Sequence, residues 1–158
     1  MVRNFYLKHF KKSNYEKNIT CFVACVFLTQ TEAQKCKAKD VPPPVMDAFK
    51  KEYPAVKKVY WGKDGIHYHA GFFDGKVPGS VTFDIMGKRL ITEMQMPVED
   101  LPQPVRDYVE KNYSGEIFKE VARITDADGM ITYEVEVKDM DLIFDAKGNF
   151  IQALKCYD

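Results

Sequence analysis

The chain has no apolar run long enough to span a bilayer. Ile19–Leu28 is apolar over ten residues, where a transmembrane helix needs about 20. It also has no basic stripe. Its 23 Lys and Arg are matched by 23 Asp and Glu, and no patch of cations suggests a nucleic-acid surface. Nucleic acid is set aside as a partner on that ground. Cysteine is sparse, four in 158 residues, and the spacing forms neither a redox Cys-x-x-Cys nor a zinc site. No Gly-x-Ser-x-Gly elbow is present to expose Ser80, Ser114 or Thr82 as a nucleophile. Neither His67 nor His69 has an evident orienting acid beside it in sequence, so the expectation is a protein that is not an enzyme and needs no cofactor.

What is present is enough for a packed core. Hydrophobic residues make up 46% and aromatic residues 13% of the chain, which fits one compact domain or two very small ones. The zero formal charge hides a division. Residues 1–33 hold 5 basic and 2 acidic side chains; removing them from 23 of each leaves 18 against 21, a net of −3.

That first segment reads as an export leader. Met1–Asn18 is basic and polar, Ile19–Leu28 is the short apolar region, and Thr31-Glu32-Ala33 offers small residues at the two positions a signal peptidase reads. Phe22-Val23-Ala24-Cys25 loosely fits a lipidation box, but the apolar stretch before Cys25 is too short for it and the run continues past it. Cleavage near Ala33 would leave no membrane span and place the mature chain in the periplasm or outside the cell. It would also remove Cys21 and Cys25. Cys36 and Cys156 then remain at opposite ends, either as a disulfide or as two free thiols. A disulfide requires the segment before the first helix to lie beside the last strand.

The mature part repeats itself. Pro42, Pro44, Val45, Asp47, Lys51 and Tyr53 match Pro102, Pro104, Val105, Asp107, Lys111 and Tyr113 at a spacing of 60. Phe83-Asp84-x-x-Gly87 matches Phe144-Asp145-x-x-Gly148 at 61. Two blocks in nearly one register indicate duplication. The expected layout is a leader over 1–33, a first unit over 41–98 and a second over 99–156.

Each unit opens on a proline-marked helix with one apolar stripe, Val45, Phe49 and Tyr53 or Val105, Val109 and Tyr113. About four antiparallel strands follow, over 57–62, 65–73, 77–85 and 88–96, then 117–125, 130–138, 141–145 and 149–155, separated by glycine turns. Alternation assigns Ile66, Tyr68, Ala70 and Phe72 to the core and His67, His69, Gly71 and Phe73 to the open face. In the second unit Ile131, Tyr133, Val135 and Val137 face the core, and Thr132, Glu134, Glu136 and Lys138 read as a solvated set.

Other constellations are weaker. His67-x-His69 has the spacing to share a metal, but no third ligand is fixed, and two solvated histidines are the simpler reading. Asp126-x-Asp128-Gly129 begins like a calcium loop, yet Val137 stands where the twelfth-position glutamate belongs, so it reads as a turn.

Helix, Trp61 in the first strand, then glycine-turn strands ending in Phe-Asp-x-x-Gly, all duplicated behind a leader: over residues 41–155 the chain resembles the PepSY-like family. These are β-lactamase-inhibitor-protein-like domains of secreted bacterial proteins. The resemblance implies an α+β fold in which tandem helix-plus-sheet repeats form one curved antiparallel sheet with the helices on its convex side. In the inhibitor that gives the fold its name, the open face binds an enzyme. No catalytic residue belongs to the family pattern.

The functional expectation is an exported binding or inhibitory module that engages an envelope or extracellular protein through its open sheet face. Tyr60, His67, His69 and Phe73 are the candidate partner-binding residues. A structural envelope protein, and a metal or small-ligand carrier using His67 and His69, are the alternatives. Protein isolated from its producing cell should begin close to Gln34 on N-terminal sequencing. A start at Met1 would contradict the leader, and a lipid on Cys25 would show anchoring instead.

Overall fold

The computed structural model of the chain describes residues 34–155. The expected leader, 1–33, and Cys156 lie outside them. Two α-helices form where the apolar stripes place them. Helix α1 is Pro43–Glu52, with Pro42 capping it and prolines in its first turn, where a missing N–H costs nothing. Val45 and Phe49, one turn apart, are its buried residues. It ends at Tyr53, whose N–H still donates to Phe49 O at 2.8 Å, because Pro54 disfavours helical backbone in the residue before it. Helix α2, Gln103–Asn112, is built alike, with Pro102 as cap, Val105 and Val109 buried, and the Tyr113 N–H donating to Val109 O. A short 3₁₀ turn precedes each helix, Ala38–Asp40 and Val98–Asp100, and delivers Val41 and Leu101 into the core.

All strands join one antiparallel sheet in sequence order. After β1, Gln34–Lys35, come β2, Val59–Asp64; β3, His67–Asp74; β4, Val77–Phe83; and β5, Arg89–Gln95. Beyond α2 follow β6, Phe118–Asp126; β7, Ile131–Val137; β8, Met140–Asp145; and β9, Phe150–Lys155. One helix followed by four strands therefore occurs twice in order. Pairing of β5 with β6, from Ile91↔Asp126 to Gln95↔Ala122, makes the two halves one sheet. The two-residue β1 is an addition to the expected set, paired with β2 at Gly62 and Lys63.

Both helices cover the same face. In the first half Val45 and Phe49 pack on Trp61, Tyr68, Ala70, Phe72, Val81 and Phe83, and the Phe49 ring meets Trp61 and Phe72 edge-on at 5.4 and 5.3 Å. In the second, Val105 and Val109 pack on Val121, Val135, Val137, Leu142 and Phe144. The alternation thus assigned Tyr68, Ala70 and Phe72 correctly. It failed at Ile66, which is 65% exposed. The strands run on through Asp64, and the turn falls at Gly65-Ile66, where Gly65 supplies the positive φ of 56° that a two-residue hairpin needs.

The Phe-Asp-x-x-Gly motif has a mechanical role in both halves. Asp84 Oδ1 accepts from the N–H groups of Met86 and Lys88 at 2.8 and 2.9 Å, and Asp145 Oδ1 accepts from Lys147 and Asn149 at 2.8 Å each. The Asn149 side-chain amide and backbone N–H hold the Asp145 carboxyl below its ordinary range. Asp126 Oδ1 accepts from Asp128 and Met130 in the same way, so the calcium-like stretch is a turn. The aspartate closes the turn, and the glycine brings it under a helix. Gly87, at φ 81°, lies so close to the first turn of α1 that a Cβ there would sit 2.4 Å from Pro44 O. A Cβ on Gly148, at φ 85°, would meet Pro104 and Val105 of α2 at 3.1 and 3.2 Å. Left-handed backbone alone costs an alanine about 1–2 kcal/mol, and Gly148→Ala should lose about that much in denaturant unfolding. Gly87→Ala should lose clearly more, because its methyl meets a backbone carbonyl that cannot swing aside. Equal losses would contradict the close approach.

Candidate partner-binding face

The face opposite the helices is built row by row from the register. In one row Tyr60 pairs with Gly71, Gly71 with Ser80, Ser80 with Glu93 and Glu93 with Ile124. In the next, His69 stands between Gly62 and Thr82, and Thr82 pairs with Ile91. Phe73, two residues beyond Gly71 on β3, shares the face and pairs with Pro78. The structure thus places Tyr60, His67, His69 and Phe73 on one face of two neighbouring strands. Tyr60 is 36% and Phe73 37% exposed. Pro78 belongs to strand β4 and lies beside Phe73 in the sheet, not over it. The Lys58 ammonium sits 5.1 Å from the centre of the Tyr60 ring, an attraction of the kind worth about 0.5–1 kcal/mol at an exposed site.

Ile91, 38% exposed, joins this face through the β4–β5 pairing, and sequence reasoning missed it. The alternating parity of β5 could have marked it, but only once the β4–β5 register was known.

The second half differs from expectation. Glu134 and Glu136 are 8% and 6% exposed, not a solvated set. Glu136 lies directly between Glu120 and Asp141 in the register, and Asp141 is also buried. Like charges placed opposite one another across strands are unfavourable. The Lys119 ammonium, 3.9 Å from Glu136 and 3.7 Å from Asp139, offsets part of that. The open face therefore has an aromatic end and an acidic end. Alternation put Glu134 and Glu136 on this face, but it carries no information on their burial or on the row they form.

His69 is partly buried, and its Nδ1 is 2.8 Å from the Thr82 hydroxyl. A hydroxyl against an imidazole is the geometry of a nucleophile and its base. Burial pushes His69 down to about 4, opposed by attraction to Asp64 and reinforced by His67. A base that weak is mismatched to proton abstraction near neutral pH. Among the described residues no group of three or more His, Cys, Asp or Glu side chains is placed to hold a metal ion.

Cys36 forms no disulfide within the described residues. It follows β1, and its N–H donates to Trp61 O at 3.0 Å, so it belongs to one margin of the sheet. Lys155, the residue before Cys156, ends β9 at the other margin. Cys156 lies outside the described residues, and with it the expected Cys36–Cys156 pair.

A family model described as "Putative beta-lactamase-inhibitor-like, PepSY-like" matches residues 28–69 and 66–152. The chain belongs to this family. Solved structures agree on the PepSY-like fold. A "putative periplasmic" protein from Bacteroides eggerthii aligns at TM-score 0.69 and 19% identity, covering 75% of this chain and 93% of its own. A DUF2874 family protein from Bacteroides uniformis gives 0.66 at 24%, covering 72% and 88%. A BLIP-like protein from Bacteroides fragilis gives 0.61 at 24%, covering 72% and 86%. At such identities the likeness is one of fold. No curated protein matches the chain. Among the described residues no helix is long and apolar enough to cross a membrane.

The position of His69 in this PepSY-like sheet makes stability depend on pH. A histidine whose folded value lies below its unfolded value of about 6.5 binds fewer protons folded than unfolded. Its contribution is complete above about pH 6.5 and is lost as pH falls toward the folded value of about 4. Between about pH 7.5 and pH 5 this one group should cost about 2 kcal/mol of unfolding free energy. Denaturant unfolding at both pH values should show that loss, and His69→Gln should remove most of it. An unchanged pH dependence in the variant would contradict the burial of His69.

Proposed function

We propose that the chain is an exported, non-enzymatic binding or inhibitory module that engages an envelope or extracellular protein through the open face of its sheet. The observation that carries this reading is the pair Tyr60 and Phe73, each more than a third exposed on a rigid sheet whose other face is filled by both helices. Aromatic side chains are enriched at the cores of protein interfaces. A sheet face is rigid, so a partner meets preformed contacts and little ordering entropy is lost. A purely structural envelope protein would be better served by a polar open face, and this one carries Tyr60, Phe73 and Ile91.

The same reading takes the two halves as copies of one duplicated unit. In its support, the capping prolines, the buried helix pairs Val45/Phe49 and Val105/Val109, and the glycines under each helix correspond one to one. The copies would then share a scaffold and differ in what they show a partner, aromatic in the first and acidic in the second. Export is supported by the leader pattern and by the periplasmic description of a protein with the same fold.

Capture from envelope extract tests the reading. The double variant Tyr60→Ser, Phe73→Ser should lose the partner that the unchanged chain retains. Its melting temperature should stay within about 4 °C, which about 1 kcal/mol would cost a domain of this size. A loss of about 3–5 kcal/mol, as for truncated buried aromatics, would show that the rings hold the fold together and that the binding surface lies elsewhere.

A further inference from the structure

Strands β5 and β6 join the two halves over part of their length only. β6 runs over nine residues, Phe118–Asp126, but its pairing with β5 covers Ala122–Asp126. One bond continues beyond that, from the Met96 N–H to Val121 O at 3.0 Å. Pro97 then has no N–H to add to the ladder, and the chain turns away into the 3₁₀ turn Val98–Asp100. On its other side β6 stays paired with β7 as far as Phe118↔Val137. Phe118–Glu120 therefore have a strand on one side and, among the described residues, none on the other. A cleft of about 220 Å³ lies along this free edge, between Gln95–Val98 and Phe118–Val121. Met96, Pro97, Val98, Phe118 and Val121 give it apolar walls. A lysine on a free edge ordinarily keeps other strands away. Here the Lys119 ammonium is drawn to the β7 side, 3.9 Å from Glu136 and 3.7 Å from Asp139.

Two requirements meet at this place. A free strand edge is satisfied by another extended backbone, and an apolar cleft by an apolar side chain. The cleft is smaller than the about 300–1,000 Å³ usual for small-molecule sites, so it suits one side chain of a longer ligand. We infer that an extended segment of a partner protein adds to β6 at Phe118–Glu120 as a short strand, in the line that β5 leaves at Pro97, and sets one large apolar side chain into the seam cleft. In such pairing the backbone bonds supply affinity and the pocket between them selects the side chain. A rounded partner surface could fill the cleft but would leave the β6 backbone unpaired. The inference does not depend on Tyr60 or Phe73, so it can fail while the proposed protein-binding face stands, and the reverse.

The probes are capped pentapeptides Thr-Val-X-Val-Thr with alanine, leucine or phenylalanine at X. Each is titrated into the isotopically labelled chain and followed by amide chemical shifts and hydrogen exchange. The leucine and phenylalanine peptides should move the signals of Met96 and Phe118–Val121 and slow amide exchange over 118–121. They should bind roughly tenfold or more tightly than the alanine peptide, because the larger side chain buries more apolar surface. The leucine peptide N-methylated at its three central residues keeps the side chain but loses the central donors, and it should not bind. Val98→Trp, which fills the cleft, should weaken the leucine peptide roughly tenfold, whereas Tyr60→Ser with Phe73→Ser should leave it unchanged. Retained signal dispersion shows that each variant is folded, and the N-methyl comparison needs no variant. Absence of shifts with every peptide, equal binding of the three, equal binding of the N-methylated peptide, or unchanged binding in Val98→Trp would overturn the inference. A shift of the same signals with the concentration of the chain alone would assign the edge to a second copy and overturn it as well.

Discussion

The rest of the structure depends on the contact between a glycine turn and the first turn of a helix. Gly87 lies where any side chain would strike the Pro44 carbonyl, and Gly148 lies against Pro104 and Val105. This approach fixes each helix over one end of its hairpin. From there Val45 and Phe49, or Val105 and Val109, reach the sheet at the spacing of one helical turn. Because both helices dock in this way on the same face, the other face of every strand is left without a helix. The open face follows from where the turns meet the helices.

What that face can do is set by the register. Pairing across β2 to β5 gathers Tyr60, His69, Phe73 and Ile91, while pairing across β6 to β8 lines up Glu120, Glu136 and Asp141. A row of like charges lowers the stability of an isolated sheet, and exposed aromatics lose hydrophobic burial. Both costs are reduced when a partner with apolar and cationic groups covers the face. Among the described residues the imidazole of His69, in contact with the Thr82 hydroxyl, is held neutral by burial down to about pH 4, and Asp84, Asp126 and Asp145 use a carboxylate oxygen to close turns.

Local patterns made much of this legible in the sequence. The helix stripes, the proline starts, the glycine turns and the parity of Tyr68, Ala70 and Phe72 all rest on contacts within a few residues or on strict alternation. The misreadings are of another kind. Alternation assigns Ile66 to the core because it extends the strand into Gly65-Ile66, which is the turn itself. Glu134 and Glu136 had the correct parity, but their burial depends on what the strands on either side, β6 and β8, place beside them. Ile91 and Glu120 gained meaning only from the register between neighbouring strands, which alternation within one strand cannot fix.

The most direct measurement of the central claim is site-specific photo-crosslinking in the producing cell. A photoreactive phenylalanine analogue at Phe73 stands on the open face, and the same group at Lys111 stands exposed on α2. The account predicts a defined protein adduct from position 73 and none from position 111. Adducts from 111 alone, or from neither position, would contradict the claim that the open face of the sheet is the working surface.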